Sequence, residues 1–205
     1  MFTDQKIAFI GGGIMGEAMI RGLLGQEIVT ADQVLVADPW DERRDFLAGK
    51  YNIEATADNR KTAEEGQVVV LSIKPQSIPY VLPDIRGHLR RGDLLLSIIA
   101  GAPIRKLADG AAHASVVRAM PNTPAQIGMG ITVWTATEEV NDAHKRQAQA
   151  ILGSLGDEIF VEQESYLDMA TALSGSGPGY VFMMVEALID AGVHLGFSRH
   201  IARQL

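Results

Sequence analysis

The sequence predicts a doubly wound α/β fold, with a mostly parallel sheet over residues 1–163 followed by an all-helical segment over 164–205. Three observations carry this expectation. Short, continuously apolar runs alternate with helix-patterned stretches, as strands covered on both faces by crossover helices require. A glycine-rich turn separates the first apolar run from the first helix. From Ser165 onward no strand-like run occurs.

Taken in order, residues 6–10 read as a strand, 15–24 as a helix, 33–37 as a second strand and 41–50 as a second helix. Residues 68–72 and 94–98 read as strands of nearly unbroken apolar character, and 115–119 and 130–134 as two more. Asn141 is an N-cap candidate for a helix over 141–152. Beyond the sheet, 166–173 and 180–195 read as helices separated by Ser174-Gly-Ser-Gly-Pro-Gly179, with Pro178 suited to a first helical turn. A further helix is expected after Phe197. A tail of this size can hardly bury a core of its own, so it must pack on the first domain, on more chain or on another subunit. Met129, Met169, Met183 and Met184 are expected in the core.

Composition narrows the function. Lys and Arg total 18 against 25 Asp and Glu, a balance of 18 − 25 = −7, which suits neither nucleic acid nor any other extended phosphate polymer. At 47% hydrophobic and 21% charged the chain has a globular composition. There is no cysteine, so disulfides, thiolate catalysis and cysteine metal sites are excluded. The start lacks a signal peptide's basic and apolar regions. The apolar run over 180–185 falls far short of the ~20 residues a membrane span needs. A soluble, cytoplasmic protein is expected, without membrane or nucleic-acid partners. The five histidines show no metal-ligand spacing, and no nucleophile elbow is present.

Gly11-Gly12-Gly13-Ile14-Met15-Gly16 follows a strand and opens a helix, the context a dinucleotide-binding turn requires. Gly11 permits the tight turn, Gly13 lets a pyrophosphate approach the helix N-terminus, and Gly16 brings helix and strand together. Asp38 ends the second strand 38 − 16 = 22 residues later, where a carboxylate accepts hydrogen bonds from an adenosine ribose. Arg43 and Arg44 stand close by for a 2′-phosphate, so NADH and NADPH both stay open.

Three later strand ends carry unusual residues, and in such sheets ligands sit beyond the carboxyl ends of the strands. Ser72, Ile73, Lys74 and Pro75 end one; Lys74 is either a charge partner for an anion or an ordinary helix-start lysine. Ala100 and Gly101, at the tip of Ser97-Ile-Ile-Ala-Gly101, leave room for a flat ring. In Arg118-Ala-Met-Pro-Asn-Thr-Pro124 two prolines make a rigid frame that presents Asn122 and Thr123. Finally, Ser174, Gly175, Ser176 and Gly177 form either a backbone N–H seat for a carboxylate or a hinge.

These segments, with Ala172-Leu-Ser-Gly-Ser-Gly-Pro-Gly-Tyr180, resemble pyrroline-5-carboxylate reductase in order and spacing over essentially the whole chain. The Met-Pro-Asn-Thr-Pro and Leu-Ser-Gly-Ser-Gly-Pro segments are its most specific parts. The resemblance implies a Rossmann-type domain, a helical dimerisation domain, and reduction of 1-pyrroline-5-carboxylate to L-proline by NADPH or NADH. It implies a homodimer, which in a larger assembly forms a ring of dimers. Hydride transfer to a protonated imine needs positioning and a dry pocket more than a strong base, consistent with the lack of an obvious acid–base pair.

By the same resemblance, Gly11, Gly13, Ile14, Met15 and Gly16 hold the pyrophosphate and Asn59 lies near the adenosine. Ser72, Ile73, Lys74, Pro75, Ala100 and Gly101 line the ribose and nicotinamide. Met120, Pro121 and Asn122 floor the nicotinamide, and Thr123 and Ser174 to Gly177 lie near the substrate. Asp38 departs from the family's usual small or hydroxyl residue. The family's Pro-Gly-Gly-Thr-Thr-type loop is absent, so the helical domain is expected to be truncated, with cofactor binding kept and reductase activity weak or lost. The alternative reading is a non-catalytic NAD(P)-binding module. A β-hydroxyacid dehydrogenase is disfavoured because no lysine follows Lys145 to serve its chemistry, and a deazaflavin-dependent NADP reductase is a further rival of the same architecture.

Overall fold

The computed structural model describes residues 2–205. Eight strands form one sheet: β1 (Ile7–Ile10), β2 (Val34–Ala37), β3 (Glu54–Thr56), β4 (Val68–Leu71), β5 (Leu94–Ser97), β6 (Val116–Met120), β7 (Gly130–Ala136) and β8 (Gly156–Phe160). Their order is β3-β2-β1-β4-β5-β6-β7-β8, and every pairing is parallel except β6 with β7. The chain reverses direction across the sheet between β1 and β4, which opens a crevice at their carboxyl ends.

The interleaved helices are α1 (Ile14–Gly25), α2 (Asp41–Tyr51), α3 (Asn59–Glu65), α4 (Ile78–Ile85), α5 (Ile104–Ala111) and α6 (Asp142–Gly153). They cover both faces, and the burial pattern shows why the strands read as unbroken apolar runs. Ile7, Phe9, Val34, Val36, Val68 and Val70 enter one core, while Ala8, Ile10, Leu35, Val69 and Leu71 enter another behind the sheet. With successive side chains on opposite faces, both phases of the alternation must be apolar. The Asn141 cap forms as expected, its side chain accepting from the His144 N–H at 2.9 Å.

The strands that apolar runs did not reveal, β3 and β8, are the two edges of the sheet. Each is largely polar and partly exposed, because an edge strand has less of its surface covered.

After the sheet come α7 (Ser165–Ala170), α8 (Gly177–His194) and α9 (Arg199–Gln204). The expected break at Ser174-Gly-Ser-Gly-Pro-Gly179 is not one. A wide π-helical turn over Thr171–Gly175 joins α7 to α8, with the Ser176 N–H donating to the Thr171 carbonyl at 2.8 Å. Small residues here permit a wider turn within a continuing helix. Pro178 does sit in the first turn of α8.

The methionines expected in the core, Met129, Met169, Met183 and Met184, are all largely exposed. Along α8, Met183 and Met184 join Tyr180, Val181, Phe182, Val185 and Leu188, none of which is buried within this chain. A helix apolar on all sides is stable only when another element covers it. No helix among the described residues is long and apolar enough to cross a membrane.

Candidate functional site

The turn between β1 and α1 sits at the crevice. Gly11 has φ +99°, and a Cβ on it would lie 2.8 Å from the Ser72 carbonyl oxygen. Only glycine fits both the backbone and the space. Gly16 is closed off in the same way, since its Cβ would lie 2.6 Å from the Gly11 oxygen. The Ser72 hydroxyl donates to that same oxygen at 2.6 Å, tying the end of β4 to the turn.

Gly13 is the opposite case. Its backbone is extended, with φ −64° and ψ −174°, and a Cβ on it would meet nothing within 4 Å. The chain itself does not require glycine there, so the space kept clear is space for something else. The first helical bond of α1 runs from the Glu17 N–H to the Gly13 carbonyl at 2.8 Å, so the N–H groups of Ile14, Met15 and Gly16 precede it without helical acceptors. Free N–H groups, the positive end of a helix dipole and a cleared approach fit an anionic group such as a pyrophosphate.

A cavity of about 430 Å³ opens over this turn. Of the residues expected to bind cofactor, Gly11, Gly13, Asp38, Ser72, Ile73 and Lys74 line it. Gly16 supports it from behind. Asn59 opens α3 at the same edge of the sheet but donates to Asp84 at 3.1 Å and does not line the cavity. Pro39, Trp40 and Ser77 line it as well and were not expected to, and so does Arg43, which the sequence offered as a partner for a 2′-phosphate. The sequence signal for Trp40 was available: a large aromatic just past Asp38 and Pro39 in the loop after a strand end, where burial in a core is least expected.

Asp38 is held rigidly. Its Oδ2 accepts from the Gly12 N–H at 2.9 Å and its Oδ1 from the Trp40 N–H at 3.0 Å. Arg43 reaches back to the Gly12 carbonyl and to Glu17, the latter at 2.5 Å. Glu17 also accepts from Lys50 at 2.9 Å and from the Tyr51 hydroxyl at 2.8 Å, so one carboxylate on α1 binds three side chains of α2. Burial alone would raise the Glu17 pKa, but hydrogen bonds from Lys50, Arg43 and Tyr51 outweigh it and hold the value at about 2.

A carboxyl lowered in the folded state stabilises the fold above its unfolded pKa, and that stability is lost as pH falls through the folded value. Glu17→Gln is therefore expected to lower the urea midpoint at neutral pH. The gap from wild type should narrow from about pH 4.5 downward and close near pH 2. Urea unfolding at a series of pH values checks this, and a gap constant down to pH 2 would contradict it.

The second half of the site lies past β5. Ala100 and Gly101 form an exposed turn beyond β5, separated from it by Ile98 and Ile99, and Gly101 has φ +67°. The loop after β6 meets the turn between α7 and α8. The Asn122 amide nitrogen donates to the Ser174 carbonyl at 3.2 Å, and its oxygen accepts from the Ile131 N–H at 3.0 Å. A Cβ on Gly175 would lie 3.0 Å from Met120 Cε. Two motifs some fifty residues apart in sequence are thus in direct contact, with Pro121 and Thr123 in the loop between β6 and β7. The Ser174–Gly177 segment lies within helical structure, and the Ser176 N–H is consumed by the Thr171 carbonyl.

Arg118 holds this junction together, a role not evident from its motif. It lies on β6 with its side chain 5% exposed, bonded to Glu164 at 2.8 Å and Asp168 at 3.0 Å on the approach to α7 and within it. Glu164 also accepts from the Ile104 N–H at 2.7 Å, which adds α5 to the joint. An arginine in the run Val116-Val-Arg-Ala119 was the available signal, because a cation in a doubly covered strand must find an acid.

Comparison with known proteins agrees with this geometry. A family model described as NADP oxidoreductase, coenzyme F420-dependent, matches residues 6–101, and one described as pyrroline-5-carboxylate reductase dimerisation matches residues 164–205. The pyrroline-5-carboxylate reductase of Synechocystis sp. is 36% identical over 200 residues, covering 98% of this chain and 74% of that protein. That of Pseudomonas aeruginosa is 38% identical over 204 residues, covering 99% and 74%. Among solved structures, the pyrroline-5-carboxylate reductase of Coxiella burnetii superposes with a TM-score of 0.89 at 33% identity, over 98% of this chain and 74% of its own. The Plasmodium falciparum enzyme, solved with NADP bound, gives 0.86 at 30% identity over 100% and 75%. On these relationships the chain belongs to the pyrroline-5-carboxylate reductase family.

Proposed function

We propose that the protein reduces the cyclic imine 1-pyrroline-5-carboxylate to L-proline with NAD(P)H. The observation that carries the reading is the pairing of a cleared dinucleotide turn at Gly11–Gly16 with the Asn122–Ser174 junction on the same edge of the sheet. The bound cofactor supplies a hydride to the imine carbon.

The chain's own residues bind and orient. The N–H groups of Ile14, Met15 and Gly16 receive the pyrophosphate, and Gly13 leaves its path open. Ser72 to Pro75, with Ala100 and Gly101, line the ribose and nicotinamide, while Asn59 stands near the adenosine. Met120, Pro121 and Asn122 floor the nicotinamide, and Thr123 and Ser174 to Gly177 border the imine. Packing of Met120 against Gly175 keeps water from that floor, which favours hydride transfer over side reactions. A protonated imine already carries the positive charge that draws the hydride, so no strong base is called for.

The proposal places the boundary between the nucleotide domain and the helical domain at 163/164 and the enzyme in the cytoplasm. It assigns the exposed apolar surface of α8 to a homodimer interface, with a ring of dimers as the larger assembly. The match of 164–205 to a dimerisation model and the uncovered side chains of α8 support the interface. The test follows NADH or NADPH absorbance as 1-pyrroline-5-carboxylate is added, with chiral analysis of the proline formed. Turnover dependent on the imine is expected, in place of the weak or lost activity that the missing Pro-Gly-Gly-Thr-Thr-type loop implies. Cofactor binding without turnover would favour a non-catalytic NAD(P)-binding module, and no cofactor binding at all would refute both readings.

A further inference from the structure

Charge at the adenosine end of the cavity is arranged in a way that selects between the two nicotinamide cofactors. Asp38 is fixed by two backbone N–H groups, and no side-chain cation contacts its carboxylate among the described residues; Arg44 bonds its backbone oxygen instead, at 2.8 Å. A phosphate on the adenosine ribose would next turn to the N-terminus of α2. The first turn of that helix is already occupied by two acids, Asp41 and Glu42. Negative side chains there satisfy the helix dipole and repel a further anion.

The cations near this corner are engaged. Arg43 is bound to Glu17 and the Gly12 carbonyl, and Arg44 to Asp41 and the Asp38 carbonyl. Lys74 lines the cavity without an ion pair among the described residues, but it follows β4. In the order β2-β1-β4 that is two strands from the end of β2, or about 10 Å. Its place is beside the pyrophosphate and the nicotinamide-side ribose, not the adenosine ribose. Trp40, 73% exposed, stands at the cavity beside Asp38, with an apolar ring face free to cover an adenine.

Resting on the function proposed above, we infer that this enzyme prefers NADH: Asp38 receives the ribose hydroxyls and, with Asp41 and Glu42, turns away a 2′-phosphate. Trp40 packs on the adenine in either cofactor and so adds affinity without choosing between them. Arg43 is the one group that would reverse the choice, and Glu17 restrains it.

The test is calorimetric titration of the full chain with NADH and with NADPH, which needs no turnover. NADH is expected to bind at least about tenfold more tightly, a difference of about 1.4 kcal/mol. Asp38→Asn, which keeps the shape and an acceptor, should bring the two affinities together. Should that variant fold poorly, Glu17→Gln frees Arg43 and should narrow the ratio by strengthening NADPH alone. Equal or tighter binding of NADPH to the wild type would overturn the inference while leaving the proposed reaction standing. A ratio unchanged in a folded variant would overturn the assigned roles of Asp38 and Glu17. Binding of neither cofactor would overturn the functional reading itself.

Discussion

Gly13→Val is expected to leave the melting temperature of the cofactor-free protein within about 2 °C of wild type, since open surface substitutions fall within ~0.5 kcal/mol. It should weaken NAD(P)H binding by about tenfold to a hundredfold, equivalent to ~1.4–2.8 kcal/mol. The reasoning is that a side chain there meets no atom of the protein within 4 Å, while the backbone angles suit any residue. It would therefore occupy only the approach to the helix N-terminus. Gly11→Val supplies the contrast. With φ +99° and a carbonyl oxygen 2.8 Å from the new Cβ, it should destabilise the fold by ~2 kcal/mol or more as well as abolish binding. Melting curves with and without cofactor separate the two. A Gly13 variant that unfolds early, or that binds normally, would contradict the assignment.

The second large effect is expected at Arg118. Its buried guanidinium is the joint between β6 and the start of the helical segment. Arg118→Ala should cost ~2–3 kcal/mol through the lost ion pairs and the cavity left behind. For a chain of this length that is roughly 5–10 °C in melting temperature. Arg118→Met, which refills the volume, should lose only about half as much, because Glu164 and Asp168 are not buried and can turn to water. Both variants should keep most of the affinity for NAD(P)H, whose pyrophosphate seat lies at the end of β1, three strands from β6. Both should lower turnover, because α7 leads into the turn that carries Ser174. An alanine variant that melts with wild type would show that the joint is only decorative.

Much of this was legible in the sequence where the physics is local. A strand covered on both faces must be largely apolar in both phases, so β1, β2, β4, β5, β6 and β7 announced themselves. The glycine-rich turn declared itself through glycines whose spacing answers to φ at Gly11 and close packing at Gly16. The edges did not, because Glu54–Thr56 and Gly156–Phe160 are half solvated and carry charge. The helical segment misled in two respects. Small residues at Ser174-Gly-Ser-Gly177 read as a break, yet the chain continues through them as a wide helical turn. The methionines of α8 read as core because composition does not say which molecule supplies the covering surface.

The site followed the same division. Cavity residues near the turn were predictable, since strand ends at a chain reversal are where ligands sit. Trp40 was missed as a cavity residue because its position depends on how α2 leaves β2. The contact of Asn122 with Ser174 joins positions that no local pattern relates. It accompanies the docking of α7 on β6 through Arg118.

The most direct test is a crystal structure of the protein grown with reduced cofactor and L-proline. The account predicts the diphosphate against the N–H groups of Ile14 to Gly16, the ring lying on Met120 to Asn122, and the amino acid within reach of Ser174 and Thr123. A dinucleotide bound elsewhere, or a ring turned away from the β6 loop, would contradict it.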